Sequence, residues 1–181
     1  MFYLILGLIL WIAAHLFKRV APDLRASLGR AGKGIAALGI LAGLVLMVIG
    51  YRQADVINVW YPPSWMVHVN NLMMLGAVFL YGMSATKGRL RGAMRHPQLT
   101  AVKVWAVAHL LVNGDLASLI LFGGLLVWAV LEVVMITRSE AWVRPAPGEA
   151  KKDILLVVIT IVMFLAITFV HNWLGVWPFP G

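Results

Sequence analysis

Long apolar runs separated by short polar connections dominate this 181-residue chain. Six of them have, or come close to, the about 20 mostly apolar residues that a helix needs to cross a bilayer. They are residues 2–20, 35–51, 65–84, 99–112, 116–137 and 154–174. Lipid offers backbone amides no hydrogen-bond partner, so such runs fold as helices that satisfy their own backbone. The sequence therefore predicts an all-α fold, a polytopic membrane protein built as a six-helix transmembrane bundle.

Composition supports this class and argues against a soluble protein. Hydrophobic residues make up 62% of the chain and charged residues 12%, whereas soluble domains are near half apolar and a quarter charged. The longest connections, 85–98 and 138–153, are too short to bury a core of their own. We therefore expect a single transmembrane domain over residues 1–181. The chain has no cysteine, which excludes disulfides, thiolate metal sites and a cysteine nucleophile.

Basic residues mark one face of the membrane. Apart from Arg52 and Lys103, they lie at the end of the first run or in the connections after the first, third and fifth runs. They are Lys18, Arg19, Arg25, Arg30, Lys33, Lys87, Arg89, Arg91, Arg95, Arg138, Arg144, Lys151 and Lys152. The positive-inside rule makes these connections cytoplasmic, which places both termini outside and requires an even number of spans. That parity retains the short fourth run, whose Lys103 lies near enough to its end to snorkel.

Aromatic residues agree with this orientation. They cluster at the start of the third run and at the end of the sixth, on the predicted outer surface, where amphipathic rings anchor at the lipid headgroups. The members are Trp60, Tyr61, Trp65, Trp173, Trp177 and Phe179. The net charge of +8 is thus a topology signal with some attraction to anionic lipid. The bilayer is the expected partner, and no nucleic acid is.

Five ionisable residues lie at predicted membrane depth, where such groups are costly and by default functional. They are His15, His68, His109, Glu132 and His171. For any one histidine, a hydrogen bond between helices is the simple structural explanation. Four in so small a chain favour a cofactor, because imidazole is the commonest metal ligand and the usual proximal group of haem iron.

A tryptophan precedes two of these histidines by one helical turn. Trp105, His109 and Asn113 recur at four-residue spacing, and Trp11 and His15 repeat the pattern in the first run. Residues at this spacing lie on the same helix face. A flat apolar wall beside a nitrogen ligand suits a planar macrocycle.

Depth along the helices suggests which histidines can meet. His68, His109 and His171 lie toward the outer half, whereas His15 and Glu132 lie roughly 7 to 8 Å from the cytoplasmic ends of their helices. Depth alone would pair His109 with His68 or His171. For Glu132 we expect an ion pair with Lys103 or Arg95 near the inner surface, the alternative being a buried acid.

The central part of the sequence resembles a known family. Arg95-His-Pro-Gln98, Trp105-Ala-Val-Ala-His109 and Asn113-Gly-Asp115 are similar to the signature of the NnrU family of bacterial membrane proteins. Residues 7–19 resemble that family's first helix. The family is associated with denitrification and the handling of nitric oxide. The resemblance implies the bacterial cytoplasmic (inner) membrane, with both termini in the periplasm.

The NnrU family is in turn similar to zeta-carotene isomerase, an integral membrane enzyme that uses haem b with two histidine axial ligands. By motif, those ligands would fall on His15 and His109, in contrast to the pairing by depth with His68 or His171. Trp11 and Trp105 would line the pocket with Asn113. Arg95 would be available for a haem propionate or a lipid phosphate, and His96 would be structural. Ala106 stands where the isomerase has a cysteine, so a thiolate ligand switch is not expected.

The resemblance implies a haem protein of nitric oxide metabolism that acts in redox or ligand sensing or in a haem-dependent reaction. Its ligand would be small and lipophilic or gaseous. One alternative is an isomerase like the zeta-carotene enzyme. Another is a membrane methyltransferase-like enzyme that binds S-adenosylmethionine at the Arg-His-Pro motif. The chain departs from the methyltransferases, because Leu99-Thr-Ala stands where they have Tyr-x-Gly.

Overall fold

The computed structural model describes residues 1–179, and regular structure in this part of the chain is helical. The α-helices are α1 (Phe2–Val20), α2 (Pro22–Ser27), α3 (Gly29–Arg52), α4 (Met66–Met83), α5 (Pro97–Val112), α6 (Leu116–Ser139) and α7 (Ala150–Trp173). A 3-10 turn covers Arg89–Gly92, and a single β-bridge joins Asn58 to Asp115. The prediction of an all-α protein is confirmed.

Five helices, α1, α3, α4, α6 and α7, are long and apolar enough to cross a bilayer. The sixth expected span, α5, is apolar but has 16 residues, a rise of about 24 Å, which is less than the hydrocarbon core of about 30 Å. The structure thus supports a multi-pass membrane protein, and the count of six spans is not confirmed. The short helix α2 lies in a connection that the sequence interpretation left without structure.

Proline and aspartate fix two of the helix starts. Pro97 occupies the first turn of α5, where its fixed φ suits the helix and its missing N–H is not needed. Asp115 precedes α6, and its carboxylate accepts hydrogen bonds from the backbone N–H of Ser118 at 2.9 Å and from its hydroxyl at 2.6 Å. These bonds satisfy a donor that a helix start otherwise leaves unpaired.

The chain divides into two compact units. The first comprises Met1–Trp60 and Gly114–Trp128, and the second comprises Tyr61–Asn113 and the chain from Ala129 onward. Helix α6 therefore contributes its first half to one unit and its second half to the other. The expectation of a single domain over residues 1–181 stays a prediction.

In the first unit, α1 and α3 pack antiparallel through glycines. A Cβ added to Gly7 would lie 2.6 Å from the backbone N of Met47, and one added to Gly43 would lie 2.9 Å from the backbone N of Trp11. Gly50 packs just as closely on the backbone of Leu4. Close approach through small residues is how helices associate in lipid, where the hydrophobic effect between helices is lacking. This contact fixes the part of α1 that carries Trp11 and His15.

In the second unit, α4 packs on α5 and on α7. Two connections of this unit are also bonded to each other: Gly148 N–H donates to the Gly88 carbonyl at 3.1 Å, and Arg144 Nε donates to the Gly92 carbonyl at 2.9 Å. Asp153 accepts from the backbone N–H groups of Arg89 and Leu90. The connection between α4 and α5 is therefore joined to the one between α6 and α7.

Candidate functional site

Three helical histidines share one local geometry. Nδ1 of His15 lies 2.9 Å from the Trp11 carbonyl, Nδ1 of His109 lies 2.9 Å from the Trp105 carbonyl, and Nδ1 of His171 lies 2.8 Å from the Ile167 carbonyl. A carbonyl oxygen only accepts, so Nδ1 is the protonated nitrogen and the lone pair of the neutral ring is on Nε2. Metal-ligating histidines are commonly held in this way, because the bond fixes the tautomer and the ring orientation.

His15, in the first unit, contacts two indole rings. The ring centroid of Trp11 is 4.3 Å away with an interplanar angle of 40°, and that of Trp128 is 4.6 Å away at 60°. The two indoles meet edge to face, 5.4 Å apart at 82°. Trp11 and His15 of α1 and Trp128 of α6 thus form an aromatic cluster in which each ring contacts the other two.

Sequence reasoning missed Trp128, although a signal for it was present. Trp128 precedes Glu132 by four residues, which is the same tryptophan-to-polar spacing that singled out Trp11 with His15 and Trp105 with His109. Both Trp128 and Glu132 are 7% exposed. A third occurrence of the pattern therefore marks the helix that completes the aromatic cluster.

Two polar atoms of the aromatic cluster have no partner. Nε1 of Trp11 and Nε1 of Trp128 are buried, and neither makes a hydrogen bond to any residue of the described chain, 1–179. Leaving a buried donor unpaired costs about 1–3 kcal/mol. Two such donors beside one imidazole are an unusual concentration of unsatisfied polarity, since nearly all buried polar groups are hydrogen-bonded.

His109 occupies the second unit with its own tryptophan. The Trp105 ring lies 5.1 Å from the His109 ring at an interplanar angle of 50°. The Asn113 side chain donates to the His109 carbonyl at 2.8 Å, which caps the end of α5 directly after the histidine. The predicted stripe of Trp105, His109 and Asn113 is therefore one continuous set of contacts.

The second unit also holds the two histidines that depth favoured as partners of His109. His171 lies near the end of α7, and His68 is an exposed residue of α4. Among residues 1–179, no three or more His, Cys, Asp or Glu side chains are grouped to hold a metal ion. His15 belongs to the first unit and His109 to the second, and their pairing stays a prediction.

The Arg-His-Pro motif joins α5 to the end of α6. Arg95 Nη2 donates to the carbonyls of Ile136, at 3.3 Å, and of Glu140. His96 Nε2 lies 3.2 Å from the Thr137 hydroxyl. A cation at the carboxyl end of a helix satisfies its last carbonyls and interacts favourably with the helix dipole. These contacts give the motif a structural role. The expectations that Arg95 meets a propionate and that Glu132 forms an ion pair stay predictions.

The described residues fit a haem in their donor chemistry. His15 offers a preset tautomer with its lone pair on Nε2 and flat apolar walls on two sides. The unpartnered indole N–H groups match the anionic oxygens that a haem carries on its edge. With no cysteine in the chain, histidine nitrogen is the expected iron ligand.

Comparison with known proteins gives one match. A family profile described as NnrU protein matches residues 3–178, nearly the whole chain. No curated protein matches the chain, and no solved structure does.

Proposed function

Because the chain belongs to the NnrU family, we propose that it is a haem b-binding protein of the bacterial cytoplasmic membrane, active in nitric oxide metabolism. Its role is redox or ligand sensing, or a haem-dependent reaction on a small lipophilic or gaseous ligand. Both termini are periplasmic in this proposal. The observation that carries it is the geometry of His15, whose Nδ1 is held by a backbone carbonyl and whose ring contacts two indole rings.

In this proposal, His15 and His109 would hold the haem iron. Each has its Nδ1 bonded to the carbonyl one turn earlier, and each has a tryptophan ring against it. The shared tautomer gives both rings the electron pair that iron requires. The Asn113 cap on the His109 carbonyl holds the second ligand at a fixed point of its helix.

A haem held by two histidines supplies one-electron redox chemistry, and a gaseous ligand site where one histidine can leave. The chain's own residues orient the two imidazoles through the Trp11 and Trp105 carbonyls. Ala106, fully buried one turn before His109, offers no donor atom. Since the chain has no cysteine, an exchange of iron ligands would not involve a thiolate.

The methyltransferase interpretation lacks comparable support. It needs the polar atoms of the Arg-His-Pro motif for a nucleotide-bearing cofactor. Arg95 is bonded to two carbonyls of α6 and His96 to Thr137, so these atoms already have protein partners.

The proposal is tested by the absorption spectrum of the protein purified in mild detergent, oxidised and then reduced with dithionite, with haem quantified as the pyridine haemochrome. We expect a Soret band, sharp low-spin bands on reduction and close to one haem b per chain. Titration of the reduced protein with nitric oxide then distinguishes an iron site that can exchange a histidine for an external ligand from one in which both histidines stay bound. A protein that stays colourless after expression with added haem precursor would contradict the proposal.

A further inference from the structure

The aromatic cluster contains two hydrogen-bond donors that the protein does not use. Trp11 on α1 and Trp128 on α6 place their rings within 5.4 Å of each other, and the Nε1 atoms of both are buried without an acceptor. Trp128 is 7% exposed, so neither water nor lipid headgroups reach it freely. An indole N–H is a donor only, and the missing partner must therefore be an acceptor.

The third polar group of the cluster has the opposite character. Nδ1 of His15 is committed to the Trp11 carbonyl at 2.9 Å, which leaves a lone pair on Nε2. The cluster therefore offers one electron pair and two N–H donors. A ligand that matches it carries both an electron-pair acceptor and an anionic or carbonyl oxygen. An iron tetrapyrrole with carboxylate side chains has both.

The basic residue that the sequence suggested for a haem carboxylate is engaged elsewhere. Arg95 belongs to the second unit, where it donates to the Ile136 and Glu140 carbonyls. The unpartnered donors belong to the first unit and lie beside the proposed ligand His15. The donors beside His15 are neutral and lie in an apolar surrounding, where a hydrogen bond to a charged acceptor is strong.

We propose that the indole N–H groups of Trp11 and Trp128 donate hydrogen bonds to a carboxylate of the tetrapyrrole bound at His15. This inference rests on the proposed function, since it assumes that haem occupies the cluster. It assigns Trp128 a binding role that no sequence motif gave it. It also changes the role of Trp11 from a flat wall to a hydrogen-bond donor.

The test compares the binding of haem with that of its dimethyl ester, which has the same ring and iron but no carboxylate. Full-length protein expressed without haem is titrated with each compound in detergent, and Kd is read from the Soret band. The variants are Trp128→Phe and Trp11→Phe, with Trp173→Phe, at an exposed position (77%), as the matched control. A benzothienyl analogue at position 128 removes the N–H and keeps the ring shape.

We expect wild type and Trp173→Phe to bind haem about a hundredfold more tightly than the ester, about tenfold for each of two hydrogen bonds to a charged group. The benzothienyl variant should lose about tenfold of that preference and keep its affinity for the ester, and Trp128→Phe and Trp11→Phe should lose about tenfold of it beyond any loss common to both compounds. An equal loss for both compounds, an unchanged preference or no preference in wild type would overturn the inference while haem binding stands. If wild type binds neither compound, the proposed function fails as well.

Discussion

At the scale of single residues, three histidines and a threonine in the spans are held by their own helices. His15, His109 and His171 each bond the carbonyl four residues earlier, and Thr160 does the same with Leu156. Such local bonds satisfy a polar group in lipid without help from another helix. The two indole N–H groups of the aromatic cluster have no such local hydrogen bond, which is why we infer that a bound group supplies their acceptor.

Ser118 is a small residue whose side chain stabilises the first unit. It is fully buried, and its hydroxyl lies 2.8 Å from the Tyr51 hydroxyl and 2.6 Å from the Asp115 carboxylate. Ser118→Ala should lower the free energy of unfolding by about 1–3 kcal/mol, because both partners lose their hydrogen bond. Thermal unfolding in detergent measures this. Ser139→Ala, at an exposed site, is the control, and equal effects of the two variants would contradict the argument.

At the scale of elements, the contact between α1 and α3 depends on missing side chains. A Cβ on Gly43 would fall 2.9 Å from the backbone of both Gly7 and Trp11, whereas one on Gly34 of the same helix meets nothing within 4 Å. Gly43→Ala should therefore destabilise the protein by about 1–3 kcal/mol through overpacking. Gly34→Ala should be neutral or slightly stabilising.

The measurement for this pair is thermal unfolding, together with the haem content of each variant. Because the contact positions the helix that carries Trp11 and His15, Gly43→Ala should also lower haem retention. Two variants of equal stability would contradict the packing account.

A second element-scale prediction concerns Arg95, which bonds the last turn of α6. Removing it by Arg95→Ala should loosen that turn, because the last carbonyls of the helix lose their donor. Hydrogen exchange at the amides of residues 137–140 should become faster by about tenfold. Arg91→Ala, in the 3-10 turn, serves as the control. Unchanged exchange in Arg95→Ala would mean that the motif does not support α6.

The helices and the side-chain stripes along each helix could be predicted closely from the sequence. The contacts of the site between helices could not. The first apolar run coincides with α1, Phe2–Val20, and the fourth run ends with α5 at Val112, because apolar length acts locally. The contact of Trp128 with His15 joins two helices far apart in the chain, and spacing within one helix does not report it. Whether His109 pairs with His15 depends in the same way on tertiary structure, which the spacing of residues within one helix does not report.

At the scale of the whole molecule, the connections indicate how often the chain crosses. The connection after α3 is bonded to the one before α6, through Val59 N–H to Gly114 O at 2.8 Å and the Asn58–Asp115 bridge. The connection after α4 is bonded to the one after α6. Helix α4, a candidate span, leads from the first pair of connections to the second. Helix α5 leads back from the second pair to the first, so we expect it to cross the membrane despite its 16 residues.

The absence of cysteine makes this orientation directly measurable. Val56→Cys and Val143→Cys introduce single thiols at positions that are 79% and 86% exposed. We expect a membrane-impermeant maleimide to label position 56 in intact cells, and position 143 only after the membrane is opened, as the positive-inside rule requires. Labelling of both positions from the same side would contradict the six-span topology.

The most direct test of the haem assignment is the low-spin signature of the reduced and oxidised protein in His15→Gly and His109→Gly, measured with and without added imidazole. The proposed ligation predicts that each variant loses the bis-histidine spectrum and that imidazole restores it, whereas His68→Gly keeps it throughout. Unchanged spectra in both variants would contradict the assignment. Loss in His171→Gly with no change in His15→Gly would place the iron between His109 and His171 in the second unit.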